Sequence, residues 1–274
     1  DNLEFLERTV DIYSINLIIH YGSKEKKVYF ENQRISNFAT EYDHMILISR
    51  LLHTSPTNII FFSETKSEIN NNEINFVITL KKGYSVYDVE YINAARQGWK
   101  HTRDRYVLEE DSTIRDLRLC ITSEFTYKTD QIAFYSDNES AFDERTKLED
   151  THDEVLCFIY TPDQNQVKES APKHNIYLNN QHFLTISYYD DYCFYQIAYL
   201  IEKKGILNKN FLSFCGKTIN SPIKYQTIPE ITPDEQAKQN LMITTVNVEN
   251  SVQVRVKNTT NFYDLYMTVN STVF

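Results

Sequence analysis

The sequence has little glycine, proline or cysteine, and these shortages exclude several classes of protein. Five glycines and six prolines in 274 residues are too few for a collagen-like or low-complexity chain, or for long flexible linkers. The four cysteines form no C-x-x-C pair, so neither a disulfide framework nor a zinc site is predicted. They are predicted to be buried thiols of a reducing compartment, so the expected location is intracellular, cytoplasmic or nuclear.

Long apolar runs and positive charge are also scarce. No apolar stretch reaches the roughly 18 residues of a membrane span, and the opening DNLEFLERTV does not match a signal peptide. Asp and Glu outnumber Lys and Arg by 38 to 28, which gives a net charge of −10. An acidic chain repels phosphate groups, so neither nucleic acid nor a membrane is an expected partner. Other proteins are the predicted partners.

One short segment resembles a nucleotide-binding loop. Gly216-Lys217-Thr218 matches the end of G-x-x-x-x-G-K-[ST], but Phe211 stands where the first glycine is required. The residues between alternate between apolar and small, which predicts a strand entering a turn. Gly216 is therefore predicted to supply the unusual backbone angle of a β-turn rather than to hold phosphate.

Catalytic patterns are missing as well. The seven histidines are scattered and none has the spacing of H-E-x-x-H. Carboxylate runs fit solvated loops, and buried cysteines are expected to be protonated and unreactive. The sequence thus predicts no catalytic residue, no cofactor site and no metal site in this segment.

An internal repeat of about eighty residues organises the chain. Apolar triplets with helical spacing begin at Ile35, Ile114 and Phe194, and the two intervals between these positions differ by a single position. In each copy two strands precede the helix and two follow it, which predicts an α+β fold with one helix on a small mixed sheet. The first copy has a longer interval between its helix and Ile59, which predicts a longer helix there.

The repeats have predicted boundaries. Residues 1–9 form an N-terminal extension, and the copies follow in order, the third with a polar linker before it. They are repeat 1 (10–83), repeat 2 (84–164), the linker together with repeat 3 (165–249) and the start of repeat 4 (250–274), which stops after its first hairpin. The tyrosines, 20 in all, outnumber what such small cores can bury, so they indicate either codon bias with strand propensity or an interface.

The repeats resemble ubiquitin-like β-grasp domains in tandem. In repeat 2, Thr113-Ile114-Arg115-Asp116-Leu117 resembles the helix opening of that family, and residues 130–150 resemble its third strand, turn and Arg-Thr-x-Leu-x-Asp pattern. In repeat 3, LSFCGKTI (212–219) resembles the family's hydrophobic-x-Phe-Ala-Gly-Lys strand and turn. The resemblance implies three complete ubiquitin-like domains and a truncated fourth.

The resemblance also implies a function. Conjugable modifiers end in Gly-Gly, whereas these repeats end in LKKGYS, YTPDQN and VNVENS, so a non-conjugable, non-catalytic interaction scaffold in the ubiquitin system is expected. The alternative is a regulatory arm of a larger deubiquitinase, a cysteine protease whose catalytic domain lies outside this chain. A third alternative, a cytoskeletal or membrane adaptor, would need a basic lipid-binding face.

The family's docking surface centres on an exposed apolar residue of the third strand. The matching positions are Ile60, Ala133 and Ser213, of which only Ile60 is large and apolar. Repeats 2 and 3 are therefore expected to bind ubiquitin receptors poorly through this face. For Ile60 a role in the core is the alternative.

Overall fold

The protein is described from a computed structural model. It describes residues 10–36, 39–66, 72–93, 100–136, 140–151, 155–159, 171–205, 208–219, 222–232, 234, 236 and 239–245. Within these residues the chain is a mixed α+β protein with three small sheets. The predicted N-terminal extension (1–9) and the start of repeat 4 (250–274) lie outside them.

The first sheet belongs to repeat 1. Its strands are β1 (Val10–Tyr21), β2 (Lys24–Ser36), β3 (Ile59–Lys66) and β4 (Glu73–Leu80), and helix α1 (Glu41–Leu51) lies between β2 and β3 in the chain. The strand order is β2-β1-β4-β3. The central strands β1 and β4 are parallel, and the outer pairs are antiparallel.

The second sheet belongs to repeat 2 and has the same order. Its strands are β5 (Tyr84–Asn93), β6 (Lys100–Glu109), β7 (Ile132–Tyr135) and β8 (Val155–Ile159), with helix α2 (Ile114–Phe125) before β7. The order is β6-β5-β8-β7, and the central strands β5 and β8 are again parallel.

The third sheet repeats the arrangement with one added strand. Its elements are β9 (Lys173–Leu178), β10 (Gln181–Ser187), α3 (Phe194–Gly205), β11 (Leu212–Phe214), β12 (Lys217–Thr218), the short helix α4 (Ile228–Ile231) and β13 (Asn240–Thr245). The order is β10-β9-β13-β11-β12, with β9 and β13 parallel. In each of the three repeats the first strand and the last strand along the chain are therefore neighbours in the sheet and run parallel.

The chain divides into two compact units. One holds the first sheet, up to Val86, and the other, Tyr87–Ser251, holds the second and third sheets. In the first unit alternate residues of β1 and β4 are buried with residues of α1, such as Phe76 and Met45, both 0% exposed. In the second unit a single apolar core runs through repeats 2 and 3.

The structure corrects the predicted start of the first repeat's helix. Ile35 lies in β2, and α1 begins only at Glu41, so the first interval between helix starts is shorter than the second. The third strand nevertheless begins at the same distance along the chain from the start of its helix in every repeat. The predicted longer helix in repeat 1 was therefore wrong.

The helix N-termini share one kind of cap. In each helix the side chain of the third residue accepts a hydrogen bond from the backbone amide three residues earlier. These third residues are Asp43 in α1, Asp116 in α2 and Gln196 in α3. Such a cap satisfies a backbone amide that has no partner inside the helix. Hydrogen bonds from Thr40 hold the pKa of Asp43 below its usual value.

The segment that resembles a nucleotide-binding loop is a β-hairpin. Strands β11 and β12 are joined by Cys215 and Gly216, whose φ angles are 51° and 74°. Two successive positive φ values are typical of a type I′ turn, which matches the twist of the flanking strands. The prediction of a turn at Gly216 is confirmed.

Candidate functional site

The three predicted docking positions occupy the same place in their sheets. Ile60, Ala133 and Ser213 are each the second residue of the third strand. Ile60 and Ala133 are half-buried, whereas Ser213 is 6% exposed. The preceding Ile59 is 0% exposed, so the core position is that of Ile59 and not Ile60.

Ile60 also lies at an irregularity of its sheet. The pairing of β3 with β4 shifts between Ile59 and Phe61, which leaves Ile60 at a β-bulge. Bulges bend a strand and redirect a side chain, and they are frequent next to functional sites. Neither Ala133 nor Ser213 lies at such an irregularity. Repeat 1 therefore differs from the other two both in the size of this residue and in its backbone.

An asparagine pair bridges the central strands in two of the sheets. Asn16 donates to Asn75 across β1 and β4 at 3.1 Å, and Asn175 donates to Asn240 across β9 and β13 at 3.4 Å. Both pairs alternate with buried core residues, so they lie on the face of the sheet away from the core. In repeat 1 this face also carries Tyr29, which is 47% exposed.

Helix α3 is buried on all sides over most of its length. Every residue from Phe194 to Glu202 is buried, although a surface helix normally buries one stripe. One stripe packs on the third sheet, where the rings of Phe194 and Phe214 are stacked at 5.9 Å. The other stripe faces repeat 2 and carries Tyr195 and Tyr199. These tyrosines are buried between the two repeats and not in the core of one small sheet. The interface interpretation of the Tyr-rich segment is thus the one that the structure favours.

Hydrogen bonds join α3 and the residues before it to α2. The Tyr192 hydroxyl lies 2.7 Å from the Thr122 carbonyl oxygen and 2.8 Å from that of Tyr127. Gln196 donates to the Thr122 hydroxyl at 2.9 Å, and the Tyr195 hydroxyl lies 3.6 Å from the Cys120 sulfur. Since Gln196 also caps its own helix, one side chain serves both the helix and the interface.

Three charged contacts cross the same interface. Lys209 lies 2.6 Å from Glu109 of repeat 2 and 3.7 Å from Glu202 of its own repeat. Lys224 pairs with Asp116 at 2.9 Å. Lys203 pairs with Glu124. The side chains of Lys209, Glu202 and Asp116 are only 2–3% exposed, so these are buried charges that have partners.

Phenol groups at this interface act as neutral hydrogen-bonding groups. Burial raises the pKa of Tyr195 and Tyr199 well above the usual value. Tyr91 and Tyr106 form a hydroxyl pair at 2.6 Å inside repeat 2, and burial raises their pKa values in the same way. None of these hydroxyls is therefore suited to act as a base near neutral pH.

The cysteines do not form a nucleophilic site. Cys120, Cys157 and Cys193 are buried, and burial raises the pKa of all three thiols, that of Cys193 to about 11. Such thiols remain protonated and unreactive at neutral pH. Cys215 is exposed in the hairpin turn, so the prediction that all four cysteines are buried was wrong for this residue.

We expect one reactive thiol per folded chain. An aromatic disulfide reagent should modify Cys215 alone under native conditions and all four cysteines in denaturant, because only Cys215 is exposed. The Cys215→Ser variant should show no fast reaction when folded. A second fast thiol in the wild-type protein would contradict the burial of the other three.

A polar cleft of about 190 Å³ lies where repeats 2 and 3 meet. Glu109, Lys209 and Lys224 line it, and each lysine is paired with a carboxylate of the protein. Asp111 also lines the cleft, so both carboxylate and ammonium groups border it. Among the described residues no cluster of three His, Cys, Asp or Glu side chains is arranged to hold a metal ion. No helix in the described part of the chain is long and apolar enough to cross a membrane.

No protein-family model matches the chain, and a search of curated proteins finds no match. The features of the molecule that bear on its function are the fold, the third-strand positions and the interface between repeats 2 and 3.

Proposed function

We propose that the chain is a row of three non-conjugable ubiquitin-like β-grasp domains, with a fourth beginning at residue 250, that acts as a non-catalytic interaction scaffold in the ubiquitin system. The observation that carries the proposal is an order of four strands that recurs in all three sheets, the third of which has one more strand at its edge. The constant interval along the chain from the helix start to the third strand adds support. Its partners are other proteins.

The proposed docking position is Ile60. It is the only large apolar side chain among the three equivalent third-strand residues, and it is half-buried at a bulge. A half-exposed apolar side chain can be covered by a partner without a cost in buried polar groups. Ala133 is too small for this purpose, and Ser213 is buried.

The test compares Ile60→Asp with the matched variant Ala133→Asp in the whole chain. We expect the wild-type chain to bind at least one of a panel of purified ubiquitin-associated and ubiquitin-interacting domains. Ile60→Asp should weaken this binding at least about tenfold, since an interface anchor is worth more than about 1.4 kcal/mol. Ala133→Asp should leave it unchanged. Far-UV circular dichroism verifies that both variants fold.

Two results would count against the proposal. One is that no domain of the panel binds the wild-type chain. The other is that Ile60→Asp and Ala133→Asp bind equally well while both remain folded. Titration calorimetry gives the affinities that separate these cases.

A second proposal is that the row is the regulatory arm of a larger deubiquitinase. The shared core of repeats 2 and 3 favours it, since a stiff pair of domains is suited to holding a catalytic domain in place. A ubiquitin probe with a C-terminal electrophile, applied to the full-length protein from its source, distinguishes the two. Labelling supports the regulatory arm, and its absence beside a labelled control enzyme supports the stand-alone scaffold.

A further inference from the structure

A histidine is buried beside the contact between repeats 2 and 3. His174 lies in β9 on the core side of the third sheet, and it is 6% exposed. Its ring stacks on that of Tyr188, with centroids 3.8 Å apart and an angle of 18° between the planes. Its Nδ1 atom is buried without a hydrogen bond of normal geometry, although the Pro172 carbonyl group acts on the ring. A buried polar atom that is poorly satisfied is rare in folded proteins and needs an explanation.

The ring stack leads from His174 to repeat 2. Tyr188 stacks on Tyr192 at 6.4 Å, and the Tyr192 hydroxyl contacts the carbonyl oxygens of Thr122 and Tyr127 at the end of α2. The two ring contacts and the Tyr192 hydrogen bonds thus form a continuous chain of contacts from the imidazole to α2. We propose that His174, Tyr188 and Tyr192 form a proton-sensitive contact that loosens the pairing of repeats 2 and 3 when the imidazole becomes charged.

The surroundings of the imidazole decide the direction of the effect. Burial, the largest influence, lowers the pKa of His174, while the Asp190 carboxylate and the Pro172 carbonyl oppose this. The other charged groups near the stack are Asp191, which acts on Tyr192, and Lys128, which lies 5.8 Å from the ring of Tyr189. An imidazolium stacked on a phenol gains some cation–π attraction. Burial nevertheless remains the largest influence on the pKa of His174 and lowers it.

The pH range follows from that direction. In the unfolded chain the imidazole has a pKa of about 6.5, and in the folded chain its pKa is lower. Below about pH 6.5 the unfolded state therefore binds more protons than the folded state, and stability falls as the pH falls. The neutral imidazole makes its full contribution to the free energy of unfolding above about pH 6.5, and this contribution is lost as the pH drops through the folded-state pKa.

The experiment is hydrogen exchange by mass spectrometry on the whole chain at pH 7.5 and pH 5.5, corrected for intrinsic exchange rates. Peptides from α2 and α3 report on the contact, and a peptide from α1 is the internal reference. We expect the protection of α2 and α3 to fall several-fold more than that of α1 at the lower pH. His174→Phe, which keeps a ring but cannot take up a proton, should abolish this excess loss. His182→Phe, at an exposed position of the same hairpin, should retain it.

Three results would overturn the proposal. The first is an equal loss of protection in α3 and α1 of the wild-type protein, and the second is an unchanged excess loss in His174→Phe. If His174→Phe does not fold, an NMR titration of the wild-type imidazole replaces it. A folded-state pKa at or above about 6.5 in that titration is the third contradicting result, and a lower value that coincides with the loss of protection supports the proposal.

Discussion

Replacing Lys209 by methionine is expected to lower the free energy of unfolding by about 3–5 kcal/mol. The Lys209 ammonium group lies between the carboxylates of Glu109 and Glu202, at 2.6 and 3.7 Å. Its side chain is 3% exposed and that of Glu202 is 2% exposed. Removing the cation leaves two like charges close together, one of them in a buried environment, and that accounts for the size of the effect.

The matched control for this prediction is Lys204→Met. Lys204 lies at the end of the same repeat's helix but is exposed, so its replacement should change stability by no more than about 0.5 kcal/mol. Urea unfolding of the whole chain, with exchange of α3 amides as a local probe, measures both variants. The double variant Glu202→Gln with Lys209→Met should recover part of the loss, since it removes one uncompensated charge. Equal stability of Lys209→Met and Lys204→Met would contradict the role of the buried cation.

Replacing Asp116 by alanine is expected to be about as damaging, with a loss of about 3 kcal/mol or more. One carboxylate oxygen of Asp116 accepts from the Thr113 amide and caps α2. The other lies 2.9 Å from both the Lys224 ammonium group and the Tyr225 hydroxyl of repeat 3. Alanine therefore removes a helix cap and one partner of a largely buried ion pair in a single change.

Asp43→Ala is the matched control for Asp116→Ala. Asp43 is the equivalent residue of α1 and caps Thr40 in the same way, but its contacts are exposed. Its replacement should cost only about 1 kcal/mol, the usual value of a cap. The difference between the two variants in urea unfolding then measures what Asp116 contributes to the contact with repeat 3. If the two losses are the same, Lys224 and Tyr225 do not depend on Asp116.

The sequence predicts the spacing of repeats 2 and 3 but not that of repeat 1. Helices α2 and α3 begin at Ile114 and Phe194, which are also the first residues of the apolar triplets in the sequence, so the predicted interval between these two helix starts is confirmed. Ile35 also begins a triplet, but it belongs to an edge strand of 13 residues whose apolar positions match helical spacing by chance. The better signal in repeat 1 was Thr40 with Asp43, a pair that repeats as Thr113 with Asp116.

The sequence predicts where in their strands the three proposed docking residues lie, but it predicts the interface between repeats 2 and 3 only in part. Ile60, Ala133 and Ser213 are each the second residue of a third strand, because each strand begins with an apolar residue that the sequence pattern marks, and their role in docking stays a prediction. Lys209 contacts Glu109, and Tyr225 contacts Asp116, across more than a whole repeat of sequence, so no local pattern reveals these pairs. Cys215 was predicted as buried because it follows an alternating apolar strand, but its backbone lies in the hairpin turn and its side chain is exposed.

The burial of α3 on all sides has a consequence for how this protein can be shortened or recombined. The polar segment from 161 to 174 looks like a natural place to separate the repeats. A chain ending there would leave the face of α2 that Tyr192 and Tyr195 cover open to water, and a chain starting there would expose the tyrosines of α3. We therefore expect that a shortened chain has to keep repeats 2 and 3 together, because one apolar core runs through both.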